Sequence, residues 1–232
     1  MSGIDIFVEI IRLVSLKFSC AWGATITLSI KYGHNIVFTK NTVPSAKLLP
    51  KIYTHSLFHM TRILLLSDTH SYWDDRYAKY AAECDEIWHV GDIGTPEVTD
   101  KLAALKPLRA VYGNIDGSDL RRQFPEVLRF RCEDAEVVMK HIGGYPGKYD
   151  RSIAAELFRN PPALFISGHS HILKVMRDPT LGILHINPGA AGCHGWQRVR
   201  TLIRFTIDGS DFRDLEVIEL GNGVKDLAAT SL

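Results

Sequence analysis

Short motifs built from Asp, Asn and His recur along the later part of this 232-residue chain. The first, Ser67-Asp68-Thr69-His70, directly follows the apolar run Ile63-Leu64-Leu65-Leu66. Asp68 and His70 are two residues apart, so their side chains could face the same way and share one metal ion. The motif could equally form a turn or cap the next helix. Its interpretation therefore depends on partners elsewhere in the sequence.

Four later motifs supply such partners. They are Gly91-Asp92, Gly113-Asn114, His141 ahead of a glycine-rich stretch, and Gly168-His169-Ser170-His171. A turn or a core histidine would explain any one of them, but five such motifs in this order are poorly explained that way. Oxygen and imidazole ligands without a thiolate suit two borderline or hard divalent ions. The predicted ligands are Asp68, His70, Asp92, Asn114, His141, His169 and His171.

Predicted strands lead into these motifs, and helices alternate with the strands up to Arg121. The predicted helices cover Trp73 to Ala82, Pro96 to Leu105 and Ile153 to Phe158; the predicted strands cover Ile63 to Leu66, Glu86 to Val90, Leu108 to Tyr112, Val127 to Arg131, Glu136 to Met139, Ala163 to Ser167, Leu173 to Arg177, Ile183 to Ile186, Thr201 to Ile207 and Phe212 to Leu220. Asp208-Gly209 predicts a hairpin turn. The alternation favours an α/β fold in which the strand ends form one ligand-binding edge.

The first 59 residues differ from the rest, because they carry no motif and their apolar residues follow no sustained period. We expect Met1 to His59 to be an N-terminal extension of unknown role, either disordered or the product of a start site assigned too far upstream. Residues 60–220 are expected to form the functional domain, and residues 221–232 a frayed C-terminal tail.

Composition excludes several classes of protein. A formal charge of +1 argues against bulk nucleic acid or an anionic membrane as a partner. No stretch is apolar enough for a membrane span. The four cysteines, Cys20, Cys84, Cys132 and Cys193, form no CxxC pair, which predicts reduced thiols in a cytoplasmic protein.

The motif order resembles that of the calcineurin-like metallophosphoesterase superfamily, which runs D-x-H, GD, GN, H and GH-x-H. The Gly-Asn-Ile-Asp form at residues 113–116 and the later Asn187-Pro188-Gly189 are similar to the small YfcE-type phosphodiesterases. The resemblance covers Met60 to Leu220. It implies an α/β fold of two facing β-sheets, a β-sandwich flanked by helices, with a dinuclear metal site at the strand ends.

The resemblance also implies roles for the ligands. One ion would be held by Asp68, His70, Asp92 and His171, and the other by Asp92, Asn114, His141 and His169. Asp92 would bridge the ions, and a hydroxide shared between them would attack phosphorus in line. Asp92 and Asn114 are therefore the expected catalytic residues, with Asn114 also contacting substrate. The expected ions are two Mn²⁺, with Fe²⁺, Zn²⁺ or Ni²⁺ as alternatives.

One position departs from the family pattern. Many members have a histidine after the Asn, where this chain has Ile115, so the source of a proton for the leaving group is open. His194 is a candidate for this acid and Arg198 for a phosphate contact, although both could be ordinary loop residues. Asp116 and Ser67 are expected to orient ligands, although Asp116 could equally be a turn residue. The run at residues 143–147 could approach a phosphate or form only a turn-rich loop.

The resemblance implies a metal-dependent phosphodiesterase that acts on a phosphoester substrate. The alternatives are a phosphomonoesterase or nucleotide pyrophosphatase on the same site, and a protein-interaction scaffold like the retromer subunit of this fold. A scaffold role usually accompanies eroded ligands, whereas all seven are present here. A homo-oligomer is compatible with the sequence.

Overall fold

A computed structural model describes residues 14–19, 25–30, 36–38 and 60–222. The chain forms two compact units, Met1–His55 and Ser56–Leu232. In the first unit, β1 (Val14–Ser19), β2 (Thr25–Ile30) and β3 (Ile36–Phe38) form an antiparallel sheet in that order. Sequence analysis assigned no element here, although residues 25–30 alternate polar and apolar types as strands do.

The remainder of the predicted N-terminal extension lies outside the described residues. Residues 223–232 of the predicted C-terminal tail lie outside them too. The predicted domain boundaries at residues 60 and 220 therefore stay a prediction.

The second unit contains two mixed sheets of five strands each and a short hairpin. The strands are β4 (Met60–Leu66), β5 (Glu86–Val90), β6 (Leu108–Val111), β7 (Val127–Cys132), β8 (Ala135–Lys140), β9 (Gly144–Tyr145), β10 (Lys148–Tyr149), β11 (Leu164–Ile166), β12 (Lys174–Arg177), β13 (Leu184–Asn187), β14 (Val199–Asp208) and β15 (Asp211–Asn222). The strand orders are β15-β14-β4-β5-β6 and β12-β13-β11-β8-β7, and β9 pairs with β10.

Four helices accompany these strands in the described part of the chain. They are α1 (Arg76–Ala81), α2 (Pro96–Leu105), α3 (Ser118–Gln123) and α4 (Arg151–Arg159). None of these helices has the length and apolar composition that crossing a membrane requires.

Strand β4 shows how the layers pack. Ile63 and Leu65 are buried in the same apolar cluster as Met139 and Ile166 of the other sheet. Leu64 and Leu66 point the opposite way, into a cluster that includes residues of α1, α2 and α3. A third cluster joins α4 to the second sheet. Because β4 is covered on both faces, it carries an unbroken apolar run instead of an alternating one.

Parallel pairing brings the motif-bearing strand ends together. β4, β5 and β6 are parallel neighbours in one sheet. In the other sheet β8 and β11 are parallel neighbours. The carboxyl ends of parallel strands meet at the same edge of a sheet, so the residues after each strand gather there. The predicted two-sheet α/β sandwich with flanking helices is confirmed.

Several predicted elements need correction. The helix predicted from Trp73 begins only at Arg76, because the Asp74 carboxylate accepts hydrogen bonds from the Arg76 backbone and side chain and forms a turn there. Helix α3 was not predicted, since it has six residues of which Leu120 alone is buried. The loop predicted at residues 143–147 contains the start of the β9–β10 hairpin. The turn predicted at Asp208-Gly209 is confirmed, with Asp208 paired to Asp211.

Candidate metal centre

Six of the seven predicted ligands form two clusters at the strand ends. The first ligand group is Asp68, His70 and His171, and the second ligand group is Asp92, His141 and His169. Within each group, one nitrogen or oxygen atom per residue lies within 4.8 Å of the others. The members come from four different strand ends, so each group exists only in the folded chain.

Asp92, a member of the second ligand group, also faces the first. Its Oδ2 atom is 3.7 Å from His70 Nε2 of the first ligand group. Its Oδ1 atom is 3.2 Å from His141 Nε2 of the second ligand group and accepts a hydrogen bond from the Ile115 backbone at 3.1 Å. Burial raises the pKa of Asp92, but the facing His141 lowers it, and the net shift is below the usual value. One ionised carboxylate thus faces both groups.

Hydrogen bonds orient the ring of His141. Its Nδ1 atom lies 2.7 Å from the carbonyl oxygen of Val90, which can only accept, so Nδ1 carries the proton. The Nε2 atom then faces the carboxylates; burial lowers the pKa of His141, but the hydrogen bond to Asp92 and the charges of Asp68 and Asp92 raise it, and the net shift is above the usual value. Ser67 donates its hydroxyl to the same Val90 carbonyl at 3.1 Å, which places it beneath this ligand.

The ring of His171 is oriented by a residue that sequence analysis did not identify. Gln197 Nε2 donates to the carbonyl oxygens of Gly192 and His194 at 2.9 and 2.8 Å, which fixes the side-chain amide. Its Oε1 atom then faces His171 Nδ1 at 2.9 Å and requires a proton there. The Nε2 atom of His171 therefore points toward the other members of the first ligand group, 3.1 Å from Asp68 Oδ1 and 3.4 Å from His70 Nε2, and the hydrogen bond to Asp68 raises the pKa of His171.

A second residue that sequence analysis did not identify, His89, lies beneath the loops that carry Asp68 and Asp92. His89 is fully buried, and burial lowers its pKa to about 4, so the ring is neutral at physiological pH. Its Nδ1 atom accepts from Gly91 N at 3.2 Å, so Nε2 carries the proton and faces the Thr69 hydroxyl at 2.9 Å. Thr69 in turn donates to the Ile93 carbonyl at 3.1 Å. This chain of hydrogen bonds joins the loops that carry Asp68 and Asp92.

The backbone of the centre is strained. Five of the seven predicted ligands have φ between 47° and 67°, a region that non-glycine residues seldom occupy. They are Asp68, His70, Asp92, His169 and His171. Such residues cost about 1–3 kcal/mol each and cluster at sites where the surrounding structure fixes them. Hydrogen bonds from Asp68 N to Gly91 O and from His70 N to Asp92 O, both 3.0 Å, provide such constraints.

Two motif glycines are required by close packing. A Cβ atom added to Gly113 would lie 2.1 Å from Asp92 Oδ1, and one added to Gly168 would lie 2.2 Å from Ser67 Oγ. Glycine therefore precedes Asn114 and His169 because larger residues would displace the neighbouring carboxylate or hydroxyl.

The residues present fit divalent metal ions. Asp68 Oδ1 and His141 Nε2 are buried and have no hydrogen-bond partner among the described residues. Buried polar atoms are nearly always satisfied, so two unsatisfied ligand atoms at one centre indicate a missing partner. Carboxylate oxygen and neutral imidazole are suitable donors for borderline divalent ions.

The other predicted site residues vary in their distance from the two groups. Asn114 is exposed and lines a cavity together with His141. The ring centroid of His194 lies 4.7 Å from that of His70. Arg198 is exposed, and its side chain makes no hydrogen bond or ion pair within the described part of the chain. Asp116 is buried and accepts from the backbone of Gly94 and Gly113, both at 2.7 Å.

Comparison with known families identifies the fold. The sequence model of the calcineurin-like phosphoesterase superfamily domain matches residues 61–210. The chain belongs to this superfamily. The predicted family resemblance is therefore confirmed. Membership implies divalent metal ions as cofactors, and the two ligand groups are the candidates for holding them. A comparison with curated protein sequences found no match.

Solved structures from the superfamily resemble this chain at low sequence identity. A predicted phosphoesterase from Streptococcus pneumoniae is 22% identical with a TM-score of 0.52, over 72% of this chain and 93% of that one. A single mutant of Vps29 from Entamoeba histolytica is 16% identical with a TM-score of 0.53, over 69% and 99%. An archaeal phosphodiesterase is 21% identical with a TM-score of 0.51, over 68% and 99%. These similarities show the fold alone.

Proposed function

We propose that this protein is a divalent-metal-dependent phosphodiesterase. The observation that carries the proposal is the pair of ligand groups with Asp92 between them, one carboxylate oxygen facing each group. The first ion would be held by Asp68, His70, Asp92 and His171, and the second by Asp92, Asn114, His141 and His169. Two bound divalent ions would supply an activated water and neutralise charge on the phosphate.

The protein's own groups would position these partners. Val90 O and Gln197 Oε1 each hold an Nδ1 proton, so that His141 and His171 present Nε2 to an ion. The Ile115 backbone fixes Asp92 by donating to Oδ1. Such outer contacts typically change metal affinity or activity 10- to 100-fold when removed.

Because Ile115 occupies the position where many family members have a histidine, another residue must supply the proton for the leaving group. The apolar side chain of Ile115, which is 46% exposed, has no ionisable group and therefore cannot act as an acid. His194 is a side chain close to the first ligand group that could supply a proton. We therefore propose His194 for this role. Arg198, without a fixed contact, is a weaker candidate for binding phosphate.

The preference for diesters is supported by similarity to the archaeal protein described as a phosphodiesterase. Manganese is the proposed metal, and the nitrogen and oxygen donors also suit Fe²⁺, Zn²⁺ and Ni²⁺. A phosphomonoesterase or nucleotide pyrophosphatase would use the same groups.

A second candidate function is that of a protein-interaction scaffold. Similarity to Vps29 at a TM-score of 0.53 favours it, since that fold match is as good as the match to the phosphoesterases. The intact ligand groups favour hydrolysis.

Metal content and turnover distinguish these functions. The purified protein, incubated with Mn²⁺ and then freed of excess metal, should retain two ions per chain by mass spectrometry. It should hydrolyse bis(p-nitrophenyl) phosphate faster than p-nitrophenyl phosphate. Faster hydrolysis of the monoester would favour the phosphomonoesterase, and a protein with neither metal nor turnover would be assigned to the scaffold class.

A further inference from the structure

A cavity of about 210 Å³ lies beside the second ligand group. It shares His141 and Asn114 with the proposed site and is otherwise lined by Tyr112, Gly113, Arg121, Glu126, Lys140 and Ile142. Pockets for drug-sized ligands measure about 300–1,000 Å³, so this one suits a small group attached to the substrate and not a whole nucleoside. We call it the Lys140 cavity.

Arg121 is exposed at the end of the cavity on α3, where hydrogen bonds to carbonyl groups hold its side chain. Its Nε atom donates to the Asp116 carbonyl at 2.7 Å, and the guanidinium lies 4.4 Å from the Tyr112 ring centroid. Nη2 donates to the carbonyls of Gly113 and Asn114 at 3.2 and 3.1 Å. Among the described residues, no carboxylate pairs with Arg121 and Nη1 has no acceptor. The guanidinium is therefore fixed by neutral groups and keeps its charge and one donor edge for a ligand.

Lys140 adds a second cation. It is only 4% exposed, and its ammonium pairs with Glu126. The other Glu126 oxygen accepts from the Tyr112 hydroxyl at 3.3 Å. The Glu126 side chain is 59% exposed, so its charge is partly solvated, whereas that of Lys140 is buried. Two cations and one anion leave the cavity with a net positive charge.

We infer that the Lys140 cavity binds a second phosphate group of the substrate, next to the phosphate held at the ligand groups. The inference rests on the proposed function, because it assumes that a phosphate occupies the neighbouring metal centre. A planar guanidinium with a free edge and a buried ammonium bind phosphate oxygens through charge-assisted hydrogen bonds. The substrates expected are phosphodiesters that carry a further phosphate close to the reacting one.

Nucleotides with one or two phosphates test this inference. Thymidine 3′,5′-bisphosphate can place either phosphate at the metal centre and the other in the cavity, so the orientation of the substrate need not be known. Its dissociation constant and that of thymidine 5′-monophosphate are measured by calorimetry on the manganese-loaded protein. We expect the bisphosphate to bind at least about tenfold more tightly, equivalent to about 1.4 kcal/mol.

Variants that remove either a positive or a negative charge from the Lys140 cavity make the test specific. Lys140→Met should reduce the ratio of the two dissociation constants, and Glu126→Gln should increase it. Lys101→Met makes the same charge change on the exposed side of α2 and should keep the wild-type ratio. Lys140 is buried, and Lys140→Met could fail to fold. Glu126 is exposed, so Glu126→Gln is expected to fold and provides the test by itself. An equal ratio in Glu126→Gln and wild type would overturn the inference.

Turnover separates this inference from the proposed function. In one outcome, the wild-type protein fails to hydrolyse bis(p-nitrophenyl) phosphate while the ratios of dissociation constants shift as expected in the variants. That result would support phosphate binding in the Lys140 cavity and reject the proposed activity. Hydrolysis by the wild-type protein, together with ratios that do not shift in the variants, would support the proposed activity and reject phosphate binding in the Lys140 cavity.

Discussion

The first ligand group depends on a side chain from a loop, whereas the second is oriented by strand backbone. His171 is held by Gln197, which is itself held by two loop carbonyls. His141 is held by the carbonyl of Val90, the last residue of β5. A backbone carbonyl in a sheet cannot be removed by mutation, but a glutamine side chain can. The two groups should therefore differ in how strongly substitutions around them weaken metal binding.

Asp92 belongs to the second ligand group and also faces the first, so its loss should have the largest effect. Asp92→Ala removes the oxygens that face His70 and His141, so both ions should be lost and turnover abolished. Metal content and hydrolysis of bis(p-nitrophenyl) phosphate measure this, with circular dichroism to verify folding. Asp100→Ala, an exposed position on α2, is the matched control. Retention of two ions would show that Asp92 is not shared.

Gln197→Leu should separate the groups. Without the acceptor for His171 Nδ1, affinity for one ion should fall about 10- to 100-fold while the other ion binds as before. A calorimetric titration of the metal-free protein with Mn²⁺ would show one weakened and one intact site. Gln123→Leu, an exposed position on α3, should lose nothing. Equal weakening of both ions would remove the distinction between the groups.

Asp116 offers the corresponding test on the side of the second group. Asp116→Ala leaves the N–H groups of Gly94 and Gly113 without their acceptor, and each such loss costs about 1–3 kcal/mol where the group is buried. The free energy of unfolding, measured with urea, should fall accordingly. The ion near Asn114 should also bind more weakly. Asp119→Ala, which is exposed, should leave both measurements near wild type, and an equally stable Asp116→Ala protein would contradict the expectation.

His194→Ala should have the smallest effect on activated substrates. A leaving group such as p-nitrophenolate needs no proton, so its rate should hardly change. Diesters with alkoxide leaving groups should slow markedly, because they require an acid. Rates compared across leaving groups of increasing pKa measure this dependence. A small decrease that is the same for every substrate would assign His194 a packing role beside His70.

Much of the fold could be predicted from local pattern. Helix α2 and strand β5 were predicted with their observed bounds, and Pro96 marks the start of the helix. Helix α3 was missed because a single buried leucine leaves no periodic signal. The three strands of the first unit were missed because their alternation is short and broken by unpatterned segments.

The types and order of the predicted ligands were determined by the sequence itself, because each follows a strand and carries a donor that metals prefer. Only the tertiary structure decided how these donors are oriented and what surrounds them. Gln197 is 26 residues from the histidine it holds, and Arg121 and Lys140 meet at one cavity from separate elements. Such contacts depend on the order in which strands pair within a sheet, and no local pattern of residues encodes that order.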